Sequence, residues 1–281
     1  MPWADLSDVR MYYELAGSGE PVLFIPGLGA TCRLWDPIVP ELSREYSLIL
    51  PDNRGVGKSV AKRPLKTLRD LSSDLIELLD TLQLERAHVV GISFGGVIAQ
   101  SLAIDHPGRV DHLVLMSTTH RFGPYLRHIA MLLGHTLRKF PLKLFLETME
   151  LLGSGPTYFD AKIDEIQATI QARNSAGSRG PVAAQLRCLS ASKFEPRDYR
   201  IESPTLVLSG EYDPLIPNCY AKQMAEEISN SRFTVLRGCG HNPVSEDPAA
   251  VAKALSRFFD EVMVAGSTGP RFATGRSSSF V

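Results

Sequence analysis

Short apolar runs recur along this chain: Val22-Leu23-Phe24-Ile25, Ser47-Leu48-Ile49-Leu50, Ala87-His88-Val89-Val90, His112-Leu113-Val114-Leu115-Met116, Thr205-Leu206-Val207-Leu208 and Phe233-Thr234-Val235-Leu236. Runs this brief and this rich in Val, Ile and Leu read as strands. Between them lie longer segments, around 33–44, 68–82, 95–106, 218–229 and 248–264, that read as helices. In 70–82, Leu71, Leu75, Ile76, Leu78, Leu79 and Leu82 recur at three- and four-residue spacing, which gives a helix one buried face. Strand alternating with helix predicts an α/β architecture, a mostly parallel central sheet with helices on both faces. The opening Val9-Arg10-Met11-Tyr12-Tyr13-Glu14-Leu15 alternates with period two and predicts antiparallel strands at the sheet edge.

The alternation breaks after Met116 and resumes near Pro204. The intervening 119–197 is helical, amphipathic and too long for a loop, so it reads as an inserted helical cap over the carboxyl edge of the sheet. The core then comprises 1–118 and 198–264. From 265 to 281 Gly, Ser and Thr dominate, the composition of a disordered tail. Its last residues, Ser279-Phe280-Val281, would suit a groove that captures a terminal carboxylate, although a serine two places before a terminal valine is common by chance.

Composition narrows the function more than the fold. A formal charge of −1 over 281 residues offers no general attraction to nucleic acid or to an anionic membrane. The opening residues read as neither a basic nor an apolar leader, so a cytoplasmic location is expected. Ala87 to Ile104 lacks Asp, Glu, Lys and Arg and is long enough to imitate a membrane span, but His88, Gln100 and its glycines fit a strand, turn and helix better. Cys32, Cys188, Cys219 and Cys239 form no C-x-x-C pair, so neither a metal site nor any other cofactor is expected.

The candidate chemistry centres on Gly91-Ile92-Ser93-Phe94-Gly95, a G-x-S-x-G between a strand and a helix. That context reads as a nucleophile elbow, a sharp turn that lifts the serine hydroxyl clear of the backbone. A serine hydroxyl needs a base to take its proton, and the base needs a partner to orient it. Asp213 follows the strand at 205–208 and His241 follows the strand at 233–236. A parallel sheet brings the ends of such strands to one edge. Asp213-Pro214 also suits a plain turn, and Glu211 and Asp247 stand as alternative acids. His88, His106 and His112 lie in or beside strands and helix ends and read as structural.

With Ser93, Asp213 and His241 in this order the sequence resembles the α/β-hydrolase superfamily over roughly 8–264. Two further motifs carry the resemblance. Pro26-Gly27-Leu28-Gly29 is similar to the family's H-G-x-G, with proline where histidine is usual, and Asp52-Asn53-Arg54-Gly55-Val56-Gly57-Lys58-Ser59 matches its structural D-x-R-G-x-G-x-S loop. The latter ends like a phosphate-binding loop but has Asp52 where the first glycine of that motif is needed. The resemblance implies the backbone N–H groups of Leu28 and Phe94 as oxyanion donors. It also implies that losing the histidine affects support of the loop more than the donor.

Serine at the elbow suits acyl transfer. Within the superfamily the chain is similar to small capped esterases and lactonases of the 3-oxoadipate enol-lactonase type, through the P-x-L-G loop, Trp35 and Gln185-Leu186-Arg187-Cys188-Leu189. The expected activity is hydrolysis of a small-molecule ester or lactone with an apolar body. Carbon–carbon bond hydrolysis of a ring-cleavage diketone and a non-hydrolytic receptor with this fold are the alternatives. Between Asp111 and Glu147 the cap carries no acid but has Arg121, Arg127, Arg138, Lys139 and Lys143, which would draw an anionic substrate. Arg127 and Arg138 are the candidates for that contact. The favoured reading of the same residues is the solvated faces of cap helices.

Overall fold

The computed structural model describes residues 2–176, 179–191 and 200–266. In chain order the elements are β1 (Trp3–Asp5), β2 (Val9–Ala16), β3 (Glu20–Ile25), α1 (Val39–Leu42), β4 (Tyr46–Pro51), β5 (Val60–Ala61), α2 (Leu68–Thr81), β6 (Ala87–Ile92), α3 (Phe94–Asp105) and β7 (Val110–Met116). Then follow α4 (Pro124–Lys139), α5 (Leu142–Gly153), α6 (Pro156–Ala161), α7 (Ile163–Ala176), α8 (Arg179–Ala191), β8 (Thr205–Gly210), α9 (Asn218–Glu227), β9 (Ser231–Leu236), α10 (Pro243–Glu246) and α11 (Pro248–Gly266).

The strands form one sheet in the order β1-β2-β4-β3-β6-β7-β8-β9, with β5 paired to β2. From β4 to β9 every neighbouring pair is parallel, while β2 is antiparallel to β1, β4 and β5. Side-chain alternation divides the core into two layers. Leu23, Ile25, Val89, Leu113 and Leu115 face α2, α3 and α9, while Val22, Phe24, Val90, Val114 and Met116 face Trp35 and α11. Helix α2 begins at a capping box, Thr67 with Asp70, and buries Leu71, Leu75, Leu78 and Leu79. Each of those leucines contributes about 1.5–3 kcal/mol by leaving water.

The helix expected over 33–44 is broken into a 3-10 turn at Cys32–Trp35 and the short α1. Pro37 and Pro40 remove two backbone donors there, so one continuous helix cannot form. Ala87 to Ile104 divides into β6, the elbow and α3, and no helix among the described residues is long and apolar enough to cross a membrane. Between β7 and β8 the described chain is a run of helices, α4 to α8, called the cap below, with an apolar cluster of its own built from Leu133, Leu137, Phe145, Leu146, Ile166, Ile170 and Leu186. The expected tail lies outside the described residues from 267 onward, including Ser279 to Val281, and residues 265 and 266 end α11.

His88 and His112 are both buried, with their Nδ1 atoms 2.9 Å apart, and His88 stacks on Phe259 at 4.5 Å. Burial pushes both imidazoles down to about 4, and for His112 the neighbouring His88 adds to the effect. The unfolded chain takes up these protons near the ordinary value of 6.5, the folded one only near 4. Their stabilising contribution is therefore complete above pH 6.5 and is lost as the pH falls toward 4, by up to about 1.4 kcal/mol per pH unit per histidine. Denaturant midpoints measured between pH 7 and 4.5 are expected to show this slope, and to lose it in a His88→Leu/His112→Leu variant. An unchanged slope in that variant would place the acid sensitivity elsewhere.

Candidate active site

Parallel strands deliver the loops after β3, β6, β8 and β9 to the same edge of the sheet. Strand β3 has β4 on one side and β6 on the other, so the chain order reverses between β3 and β6, where a crevice opens at the strands' carboxyl ends. Ser93 stands there, between β6 and α3, at φ 54° and ψ −119°. A non-glycine residue held so far from the usual wells costs about 1–3 kcal/mol. The surroundings enforce it: the Ser93 N–H donates to the Met116 carbonyl at 2.8 Å, and the Thr118 hydroxyl donates to the Ser93 carbonyl at 2.8 Å. The flanking glycines are required by contact. A Cβ on Gly91 would lie 2.4 Å from the Gly95 carbonyl oxygen, and one on Gly95 would lie 2.1 Å from that of Ile25.

His241 and Asp213 converge on this turn. His241 Nε2 is 2.8 Å from Ser93 Oγ, and its Nδ1 is 2.8 Å from Asp213 Oδ2. A carboxylate can only accept, so Nδ1 carries the proton and Nε2 presents its lone pair to the serine hydroxyl. Asp213 is held by the Ile216 N–H, which donates to Oδ1 at 2.9 Å. The other two acids are occupied elsewhere: Glu211 accepts from the Gly238 N–H at 2.9 Å, and Asp247 accepts from the Ala250 N–H at 2.9 Å near the start of α11. His106 lies apart from the site, at the end of α3.

The histidine loop is tied to the cap. The N–H groups of His241 and Asn242 donate to the Gly153 carbonyl at the end of α5, at 2.9 and 3.0 Å. Glu246 Oε2 accepts from Gly155 N–H at 2.8 Å and from Gly240 N–H at 2.9 Å, bridging cap and loop. Burial raises the Glu246 carboxyl above its ordinary value, against those hydrogen bonds.

The loop after β3 sits beside the elbow, with an added Cβ on Gly27 falling 3.5 Å from the Ser93 Cβ. The Ala30 N–H donates to the Gly27 carbonyl at 3.2 Å, so Leu28 and Gly29 form the tip of a turn, with Gly29 at φ +62°. Two side chains support this loop where proline replaces the usual histidine. Asn53 Nδ2 donates to the Pro26 carbonyl at 3.1 Å, and Gln185 Oε1, from α8, accepts from Gly29 N–H at 2.8 Å. Gln185 is fully buried, and its Nε2 has no partner among the described residues. Phe94 is the first residue of α3, so its N–H has no carbonyl of its own helix to bond. The Asp52–Ser59 segment is a braced loop: Asp52 accepts from the Cys32 and Lys58 N–H groups at 2.8 Å each, and Arg54 Nε donates to the buried Asp74 at 2.7 Å.

Ser93, Phe94 and His241 line a cavity of about 60 Å³ whose other walls are apolar side chains of the cap and core, Phe122, Leu126, Met149 and Leu215 among them. A second cavity of about 720 Å³ lies between the 28–34 and 52–58 loops and helices α5 to α8. Arg127 and Arg138 line neither cavity. Both are exposed, and Arg127 Nε is spent on the Phe122 carbonyl at 2.8 Å. Among the described residues no three His, Cys, Asp or Glu side chains cluster as a metal would require. The clamps through Gln185, Gly153 and Glu246 were not legible in the sequence. Gln185 falls in a segment noted for another reason, and nothing local marks Glu246.

Residues 20–248 match the model of the α/β-hydrolase fold family. Among curated proteins the chain is 30% identical to a 2-hydroxy-6-oxo-6-phenylhexa-2,4-dienoate hydrolase of Comamonas testosteroni, over 84% of this chain and 86% of that one. It is 26% identical to RutD of Azorhizobium caulinodans, a candidate carbamate hydrolase, over 93% and 99% of the two chains. Among solved structures the enol-lactonase of Burkholderia xenovorans superposes with a TM-score of 0.83 at 23% identity, covering 92% of this chain and all of that one, which speaks for the fold. Sheet order, elbow and family match agree: the chain belongs to the α/β-hydrolase family of hydrolases.

Proposed function

We propose that the protein hydrolyses a small carboxylic ester or lactone through an acyl-enzyme on Ser93. The observation that carries this reading is the unbroken line from Ser93 Oγ through the His241 ring to Asp213, two contacts of 2.8 Å, opening into an apolar cavity. As Ser93 Oγ attacks the carbonyl carbon, His241 Nε2 takes its proton, and Asp213 stabilises the imidazolium. The oxyanion accepts hydrogen bonds from the N–H groups of Leu28 and Phe94, the latter aided by the positive end of α3. Collapse breaks the bond to the leaving oxygen, which receives the proton from His241. Water then attacks the acyl group by the same route, releasing the acid and freeing Ser93. No Lys or Arg is among the residues lining the Ser93 cavity, which favours an uncharged, apolar acyl group.

The Comamonas relative supports a second reading, cleavage of a ring-cleavage diketone, and RutD supports carbamates. A panel of esters, lactones, carbamates and such diketones separates the three, and mapping the adduct of a fluorophosphonate tests the nucleophile. Steady turnover of esters or lactones with the adduct on Ser93 is the expected result. Turnover of diketones or carbamates alone would replace the ester reading, and a stoichiometric burst without turnover would favour a receptor.

Support of the Leu28 loop by the cap has its own consequence. Gln185→Met keeps the volume of the side chain but removes the acceptor for Gly29 N–H. An oxyanion donor removed outright costs about 10²–10³ in kcat. A donor merely loosened is expected to cost about tenfold in kcat, with KM changed less than twofold. Equal changes in both parameters would show that the residue serves binding instead.

A further inference from the structure

The two cavities share one lining residue. Leu28 lines both, and among the described residues no other does. It packs against the apolar core beneath the site and against the cap's own core, so it stands as a wedge between them. Its backbone N–H is the oxyanion donor of the mechanism above. Its side chain is the wall beside the atom that donor would bind.

The chambers differ in size and chemistry. The one at Ser93 holds about 60 Å³ and is apolar apart from Ser93 and His241. A cavity of this kind holds a water in about 10–15 Å³, so the Ser93 chamber takes about four to six water-sized groups, the size of a short acyl chain. The other holds about 720 Å³ and carries polar groups from Tyr158, Asn242, Ser245 and the Arg173–Glu150 ion pair. The residues that follow His241 in sequence, Asn242, Ser245 and Glu246, wall this larger chamber. In ester hydrolysis the leaving oxygen takes its proton from His241 and must lie on the imidazole side, while the acyl carbon stays on Ser93.

We propose that the substrate spans both chambers, with a short apolar acyl group in the Ser93 cavity and a bulkier, polar alcohol portion in the larger one. The Leu28 side chain sets the upper limit on acyl length. This rests on the ester reading above and names the substrate class within it.

The test compares p-nitrophenyl acetate with the octanoate, and acetates of small with those of bulky polar alcohols. Wild type is expected to favour acetate over octanoate by at least 100-fold in kcat/KM. Leu28→Ala opens the wall, and that ratio should fall at least tenfold; Leu28→Val, a milder truncation, should lower it less. Thr169→Trp, at a residue that lines the larger chamber and not the smaller, should lower kcat/KM for bulky-alcohol acetates relative to methyl acetate at least fivefold. A flat acyl-length ratio across wild type and both Leu28 variants, or equal losses for both alcohols in Thr169→Trp, overturns the proposal. Labelling rates with ethyl and octyl fluorophosphonates read the same ratio without turnover. If neither reagent labels Ser93, the ester reading itself has failed; labelling of Ser93 with no chain-length preference overturns the partition alone.

Discussion

Ser93→Ala is expected to lower kcat for ester hydrolysis by about 10⁶, some 8 kcal/mol of transition-state stabilisation. The loss is large because in the proposed mechanism the serine oxygen forms the bond to the acyl carbon, and His241 and Asp213 then have nothing to activate. It is not total, since the Leu28 and Phe94 N–H groups and the apolar cavity would still favour attack by water. The fold should be indifferent to the change. The turn is held by backbone contacts to Met116 and from Thr118, neither of which uses the Ser93 hydroxyl. Steady-state turnover, fluorophosphonate labelling and thermal melting on the same preparation check this. Retention of more than about 1% of kcat in a clean preparation would remove Ser93 from the mechanism.

Asp213→Asn is expected to cost about 10⁴ in kcat while leaving stability nearly unchanged, as the analogous change does in other serine triads. An asparagine retains an oxygen to accept from the Ile216 N–H, so the loop after β8 keeps its anchor. It then presents an NH₂ to His241 Nδ1, where a carboxylate now accepts at 2.8 Å. The ring is forced into the tautomer with its proton on Nε2, facing Ser93 Oγ, and can no longer serve as base. KM should move little. Activity within tenfold of wild type would mean that another group orients the imidazole, and neither Glu211 nor Asp247 is free to do so.

The frame of the molecule is legible along the chain because its central strands, β3, β4, β6, β7 and β8, are buried on both faces and therefore read as nearly uninterrupted apolar runs. The positions of Ser93, Asp213 and His241 are legible for a related reason: each follows a strand run, though the β9 run before His241 is half-exposed, and parallel strands end together. The segment at 33–44 misleads because its apolar spacing is helical while Pro37 and Pro40 forbid the hydrogen bonds. Gln185 and Glu246 are invisible for another reason. Each acts on a backbone N–H 156 and 91 residues away, at Gly29 and Gly155, and no local pattern encodes which loop a buried side chain will reach. Arg127 and Arg138 show the limit of charge patterning, since a basic run marks the outside of an amphipathic helix as readily as a binding surface.

The hydrogen bonds from the cap to the two working loops bear on how this protein can be re-engineered. Here Gln185 and the Gly153–Gly155 corner belong to the lid in sequence, yet they hydrogen-bond the loops that carry Leu28 and His241, the donor and the base of the proposed mechanism. A chimera that imports a foreign lid without an acceptor for Gly29 N–H, and without a partner for Glu246, acquires a new pocket over a misaligned donor and base. Recognition and rate are thus inherited together, and a useful graft has to carry those contacts across the junction.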